Sequence, residues 1–424
     1  GEDAFSFCSA LTSITIPDSI VSIGSFAFER CEALDSVYIS DLAAYLNTSF
    51  ESGGSTNPMY YADKLYLNNR RVSGDLMIPE GVTNIPTYAF DGCDGITSVT
   101  IPDSVTGIGA HAFNNCSRLE NAYIEDLSKW CAVSFGDSSA NPLYYAENLY
   151  LNDELLTDIV IPNGTVSIGN YAFNSYDKLS TVTIPESVTF IGKDAFNMCS
   201  GITDVYINDL TKWCGIEFDN AYANPLYYAN NFYVNNDLIT EIVIPDGVTA
   251  IRNFAFYNFD NMSDITIPDT VTSIGFSAFY SCDSLNNITI PDSIVTIDSN
   301  AFNDCDALDN VIIPNSITSI GGGAFFGCDG LTTLSIGSGL TSVGLGAFYN
   351  CPNLTTVYCN MSKISADLFG GLYGYSYYSN NAALVILGDN VTSIDTDAFL
   401  YCYELRKIFI PKSVMEIENS AFKN

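Results

Sequence analysis

The dipeptide Ala-Phe recurs through the whole chain, with its aromatic ring at Phe5, Phe28, Phe90, Phe113, Phe173, Phe196, Phe256, Phe279, Phe302, Phe325, Phe348, Phe399 and Phe422, and most successive spacings are 23 residues. A unit that short cannot bury its own apolar side, so it gains a core only by stacking on its neighbours. In the run Leu285 to Cys305, Leu285, Ile288 and Ile290 take inward positions of a strand, and Pro291 ends it by removing a ladder donor. The last inward residue of each strand gives the register: Ile16, Ile39, Ile78, Ile101, Ile124, Ile161, Ile184, Ile207, Ile244, Ile267, Ile290, Ile313, Ile336, Cys359, Leu387 and Ile410. These sixteen rungs step by 23 residues, except for steps of 39, 37 and 37 after Ile39, Ile124 and Ile207 and of 28 after Cys359. The expected fold is a β-rich (α/β) solenoid, right-handed and curved. Its parallel sheet lines the concave face, and short helices, turns or brief extended segments form the convex side.

The stretch Ile101-Pro-Asp-Ser-Val-Thr-Gly-Ile-Gly-Ala-His-Ala-Phe-Asn-Asn-Cys116 resembles the BspA-like leucine-rich repeats, also called the Treponema type. Some dozen copies hold the same register, so the resemblance covers essentially the whole chain. It implies a curved solenoid on a bacterial cell surface, associated with attachment to host proteins or to other microbes, with no active site shared through the repeat motif. Residues 1–424 read as a single solenoid. Both ends fall in mid-repeat and no signal peptide opens the chain, so a fragment of a longer protein is expected.

Four rungs carry long returns, at 41–75, 126–158, 209–241 and 360–386. In the second, Asp126 can cap a helix of about two turns with Leu127, Trp130 and Cys131 on one face. Asn152-Asp153 then supplies a hairpin turn, as do Asn68-Asn69 and Asn235-Asn236. The first three long rungs are thus helix-plus-hairpin insertions, within a three-rung super-repeat that recurs about three times. The fourth inserts a loop with Tyr373 and Tyr375 among glycines and serines, which either folds over the convex surface or contacts a ligand.

Candidate chemistry is sparse. Ten of the thirteen cysteines sit three residues after a repeat phenylalanine, where Tyr176 and Phe259 stand in other copies, so the position is an apolar packing site. Buried free thiols are expected, and no Cys-x-x-Cys pair offers a zinc site. The single histidine, His111, falls on a variable turn position, and no nucleophile elbow, phosphate loop or His-Glu-x-x-His motif is present. No catalytic residue, metal site or cofactor is therefore assigned. Acidic residues after the strand proline (Asp18, Glu80, Asp103, Glu186, Asp246, Asp269 and Asp292) form a solvated anionic edge rather than a calcium cage.

The formal net charge of −34 excludes a phosphate-tracking surface, hence nucleic acid, and should repel anionic membranes. No run of about 18 apolar residues exists to insert into one. The expected function is a non-catalytic, monomeric, extracellular binding or adhesion module for host or microbial proteins or glycans. The alternative is a spacer that projects another domain from the cell surface. On the outward face, the residue before the marker isoleucine is threonine or serine in six rungs (Thr15, Thr100, Thr183, Thr266, Thr289 and Ser335) but tyrosine at Tyr38, Tyr123, Tyr206 and Tyr358, each leading into a long rung. The first three are three rungs apart, about 14 Å at strand spacing. They either present a spaced aromatic column to a ligand or pack against their own inserted helices.

Overall fold

The computed structural model describes residues 1–51, 54–369, 382–400, 402 and 404–423. The chain divides into two compact units, Gly1–Ile202 and Thr203–Asn424. Each is a β-solenoid built on parallel sheets.

The repeat from Leu285 shows how one turn closes. Asn287–Thr289 is its main-sheet strand, with Ile288 and Ile290 buried and Asn287 and Thr289 exposed. A second strand of two residues, Thr296–Ile297, pairs in parallel with Ser273–Ile274 and Ser319–Ile320 on the return side. The chain then turns through Asn300 and Asp304, at φ 55° and 56°, in the left-handed region that side chains seldom occupy. Backbone N–H groups of Asn300, Phe302 and Asp304 donate to the carbonyls of Gly322, Ala324 and Phe326 in the next repeat. This staircase of bonds holds the turn, and the same left-handed pair recurs at Tyr88 and Gly92, His111 and Asn115, and Ser277 and Ser281.

Between the two left-handed residues the Ala-Phe pair points inward. Phe279, Phe302, Phe325 and Phe348 are fully buried and stack in sequence, with centroids 5.1, 5.1 and 4.9 Å apart. The thiols of Cys282, Cys305, Cys328 and Cys351 donate to the carbonyls of Phe256, Phe279, Phe302 and Phe325 at 3.1 to 3.3 Å. The small hydrophobe therefore also satisfies a buried acceptor. All thirteen cysteines are free, and all are buried except Cys8 in the first repeat, which the expectation of uniform burial missed. Desolvation pushes the Cys351 and Cys359 thiols up to about 12. Alkylation at neutral pH is accordingly expected to label Cys8 rapidly and the other twelve only after denaturation, because the thiolate is the nucleophile. Mass spectrometry of the native and the non-reduced denatured protein checks this. A second fast-reacting thiol, or fewer than thirteen labels after denaturation, would contradict it.

The first three long rungs each begin with a five-residue helix: α1 (Leu42–Leu46), α2 (Leu127–Cys131) and α3 (Leu210–Cys214). Asp41, Asp126 and Asp209 cap them by accepting backbone N–H groups, and the helices are shorter than the expected two turns. Their buried aromatic residues pin the insertion to the following repeat. Trp130 Nε1 donates to the Ala172 carbonyl at 2.8 Å and Trp213 Nε1 to that of Ala255 at 2.9 Å. In the first copy the Tyr45 hydroxyl reaches the Ala89 carbonyl at 3.2 Å. Asn141 and Asn224, fully buried, donate from Nδ2 to the same alanine carbonyls and accept a backbone N–H at Oδ1.

One correction concerns the hairpins. Their first strands, Lys64–Leu67, Asn148–Leu151 and Asn231–Val234, are not loop ornaments: they pair in parallel and in register with Ser36–Ile39, Asn121–Ile124 and Asp204–Ile207. The long rung thus contributes an extra main-sheet strand that the Ile-Pro marker does not announce. The chain then reverses at Asn68-Asn69, Asn152-Asp153 and Asn235-Asn236, all at positive φ, into a two-residue antiparallel strand. There the main sheet ends, and in the N-terminal unit a new one starts at Gly74–Met77.

Candidate binding surface on the parallel sheet

Side chains alternate across a strand, so two outward columns cover each main sheet. Extra strands place a second tyrosine beside each tyrosine of the first three long rungs. Tyr38 stacks on Tyr66 at 4.7 Å and 14°, Tyr123 on Tyr150 at 4.8 Å and 14°, and Tyr206 on Tyr233 at 4.5 Å and 9°. All six rings are half-buried. The aromatic partner of each foreseen tyrosine is thus its neighbour in the sheet, whereas the helix aromatics turn inward, with Trp130 against Phe135 and Trp213 against Phe218. Tyr66, Tyr150 and Tyr233 were missed from sequence. Their signal is an aromatic between two apolar residues, 28, 27 and 27 positions after the first tyrosine. The extra strand also places Tyr123 more than three strand positions beyond Tyr38, which corrects the expected spacing.

The neighbouring outward column is polar. Asn148 Nδ2 donates to Asn121 Oδ1 at 2.8 Å beside Tyr123 and Tyr150, and Asn231 Nδ2 to Asp204 Oδ1 at 2.7 Å beside Tyr206 and Tyr233. Desolvation, then Tyr150, Asp75 and Asp153, raise the Tyr123 phenol above its ordinary value. Tyr358, 43% exposed, stands between Ser335 and Ile386. Tyr373 and Tyr375 lie outside the described residues. Flat rings with hydroxyl tips, flanked by amides and carboxylates, make a surface that can hold a ligand by stacking and hydrogen bonding.

The residues considered for chemistry are placed as follows. His111 Nδ1 lies 3.1 Å from Asp137 Oδ2 and 3.0 Å from Ser139 Oγ. Both partners sit on one nitrogen, whereas a nucleophile relay needs the hydroxyl on the ring nitrogen opposite the carboxylate. Among the described residues no three His, Cys, Asp or Glu side chains converge on a metal position. The acidic residues after the strand prolines are all exposed. A second acidic column, unforeseen, runs through Asp260, Asp283 and Asp306. Burial and then the neighbouring Asp260, Asp306 and Asp304 push the Asp283 carboxyl up to about 6.

A profile of the BspA type leucine rich repeat region matches residues 1–66, 63–149, 143–221, 228–355 and 370–424. The chain belongs to the BspA-type leucine-rich repeat family. Among solved structures, this BspA-type chain is similar to a leucine-rich repeat protein from Eubacterium ventriosum, with 22% identity over 88% of this chain and 87% of that one and a TM-score of 0.51. A leucine-rich repeat protein from Bacteroides ovatus is 22% identical over 84% of this chain and 88% of that one, with a TM-score of 0.37. A leucine rich cell surface protein from Faecalibacterium prausnitzii is 24% identical over 82% and 87%, with a TM-score of 0.35. No curated protein matches the chain. No helix among the described residues is long and apolar enough to cross a membrane.

Proposed function

We propose that this BspA-type chain is a non-catalytic adhesion module of a bacterial cell surface, and that it captures a host or microbial protein on the outward face of its main sheets. The observation that carries this reading is the repeated tyrosine pair. Three times the fold adds a strand that sets a second half-exposed ring against the first. Tyrosine supplies much contact area at little entropic cost, which is why it recurs where proteins bind other proteins. The charge of −34 favours a partner with a basic surface, whose encounter would be steered electrostatically and weakened by salt.

The test replaces Tyr123 and Tyr150 together by serine, then Tyr206 and Tyr233. Binding is measured to the best hit of a screen against extracellular-matrix proteins, mucins and immobilised glycans. Each double substitution is expected to weaken binding by about tenfold or more, in line with the loss of an interface hot spot, with little change in Tm. Binding that survives both substitutions removes the sheet face as the site.

A further inference from the structure

The three long rungs differ at one place, and the difference opens a groove. In the second copy Gly169 follows the short return strand, and its N–H donates to the Cys131 carbonyl at the end of α2 at 2.8 Å. The approach is so close that a Cβ on Gly169 would stand 2.6 Å from the Val133 carbonyl oxygen. The first copy has Pro86 at this position. Proline has no N–H to donate and its ring occupies the space a glycine leaves free. The repeat therefore cannot close on the end of α1, and a groove of about 860 Å³ runs there, between α1 and the following return strands.

Two further exchanges make this groove polar. Thr48 stands where the second and third copies have Val133 and Ile216, and Thr56 where they have Ala140 and Ala223. Thr56 lines the groove and is only 1% exposed, yet its Oγ1 has no hydrogen-bond partner. An unsatisfied buried hydroxyl costs stability, so its use in place of the alanine of the other copies calls for a ligand to satisfy it. Thr83, Asn84, Thr87, Thr106 and Ser134 add hydroxyl and amide groups, and Phe50 and Tyr88 add apolar surface. The size is that of a small-molecule site.

The charges narrow the ligand. No lysine or arginine lines the groove. His111 is engaged by Asp137, and Glu51 accepts from the Ser25 backbone and hydroxyl. What remains free is neutral and hydrogen-bonding, beside aromatic surface. We infer that the groove between α1 and Pro86 binds a short neutral oligosaccharide, separately from the protein-binding sheet face.

Calorimetric titration with maltotriose, cellotriose and triacetylchitotriose tests this on the whole chain. At least one should bind in the micromolar to millimolar range. The triple variant T48V/T56A/P86G installs the residues of the second copy, and it should lose binding by about tenfold or more, the equivalent of about one hydrogen-bonding group. T56A alone should weaken binding while raising the Tm of the sugar-free protein, a combination that a purely structural threonine would not give. S134W fills the groove from an exposed position without touching the core, and should abolish binding even if the triple variant folds poorly. No binding by any of the three sugars, or binding unchanged in S134W and T56A, overturns the inference.

Discussion

Replacing Trp213 by alanine is expected to destabilise the C-terminal unit by about 3–5 kcal/mol, the range for truncating a buried large aromatic. The indole is almost fully buried, packs on Phe218 and Phe232, and donates to the Ala255 carbonyl. Its removal leaves both a cavity and an orphaned acceptor, since Asn224 then holds that carbonyl alone at 3.1 Å. Trp213→Tyr should cost far less, because Tyr45 already makes the equivalent bond in the first copy. Chemical denaturation of the two variants checks the pair. If W213Y proves as damaging as W213A, the pin is not what the indole contributes.

Acidification from pH 7.5 towards pH 5 is expected to stabilise the C-terminal unit. Asp260, Asp283, Asp304 and Asp306 all have folded-state pKa values raised, chiefly by burial, and that of Asp283 reaches about 6. A carboxyl whose folded pKa exceeds its unfolded value binds more protons when folded. Stability therefore rises as pH falls through the folded pKa, and the gain is complete below the unfolded pKa near 4. Asp283 is largely exposed to solvent, and screening cuts its share to about 1 kcal/mol. For a unit of this size that is roughly 2–4 °C in Tm. Asp283→Asn should raise Tm at pH 7.5 and flatten the pH dependence. A Tm that falls steadily between pH 7.5 and 5 in the parent protein contradicts the repulsive column.

What the sequence disclosed, and what it hid, follows from the physics of each element. Inward residues such as Ile288 and Ile290 must be apolar in every copy, so the strands and their register were legible. The extra strand Lys64–Leu67 was not, because a hairpin and a main-sheet rung demand the same alternation, and only the pairing with Ser36–Ile39 distinguishes them. Tyr38 could be flagged by its position, but its partner Tyr66 becomes a neighbour only once that strand is stacked. The left-handed turn residues were hidden because they include Tyr88, His111 and Asp304 rather than glycines: inter-repeat backbone bonds hold a conformation that no local preference announces. The groove was hidden for the opposite reason. Pro86 and Thr56 were visible as letters, but their effect depends on what Gly169 and Ala140 do in the neighbouring copy.

The interruption of the main sheet at each hairpin determines how the protein would meet a mechanical load. Ladder bonds join stacked strands along the direction of stacking, so tension in that direction loads them in series, and the weakest junction yields first. In the N-terminal unit no main-sheet pairing joins Arg70–Arg71 to Gly74–Met77. Side-chain pins such as Tyr45 to Ala89 help to hold that junction. Extension should therefore proceed in large discrete steps. One module, the 85 residues from Phe28 to Phe113, would release roughly 280 Å of contour length. A tether that lengthens in such steps dissipates a pull instead of passing it at once to whatever the tyrosine face holds.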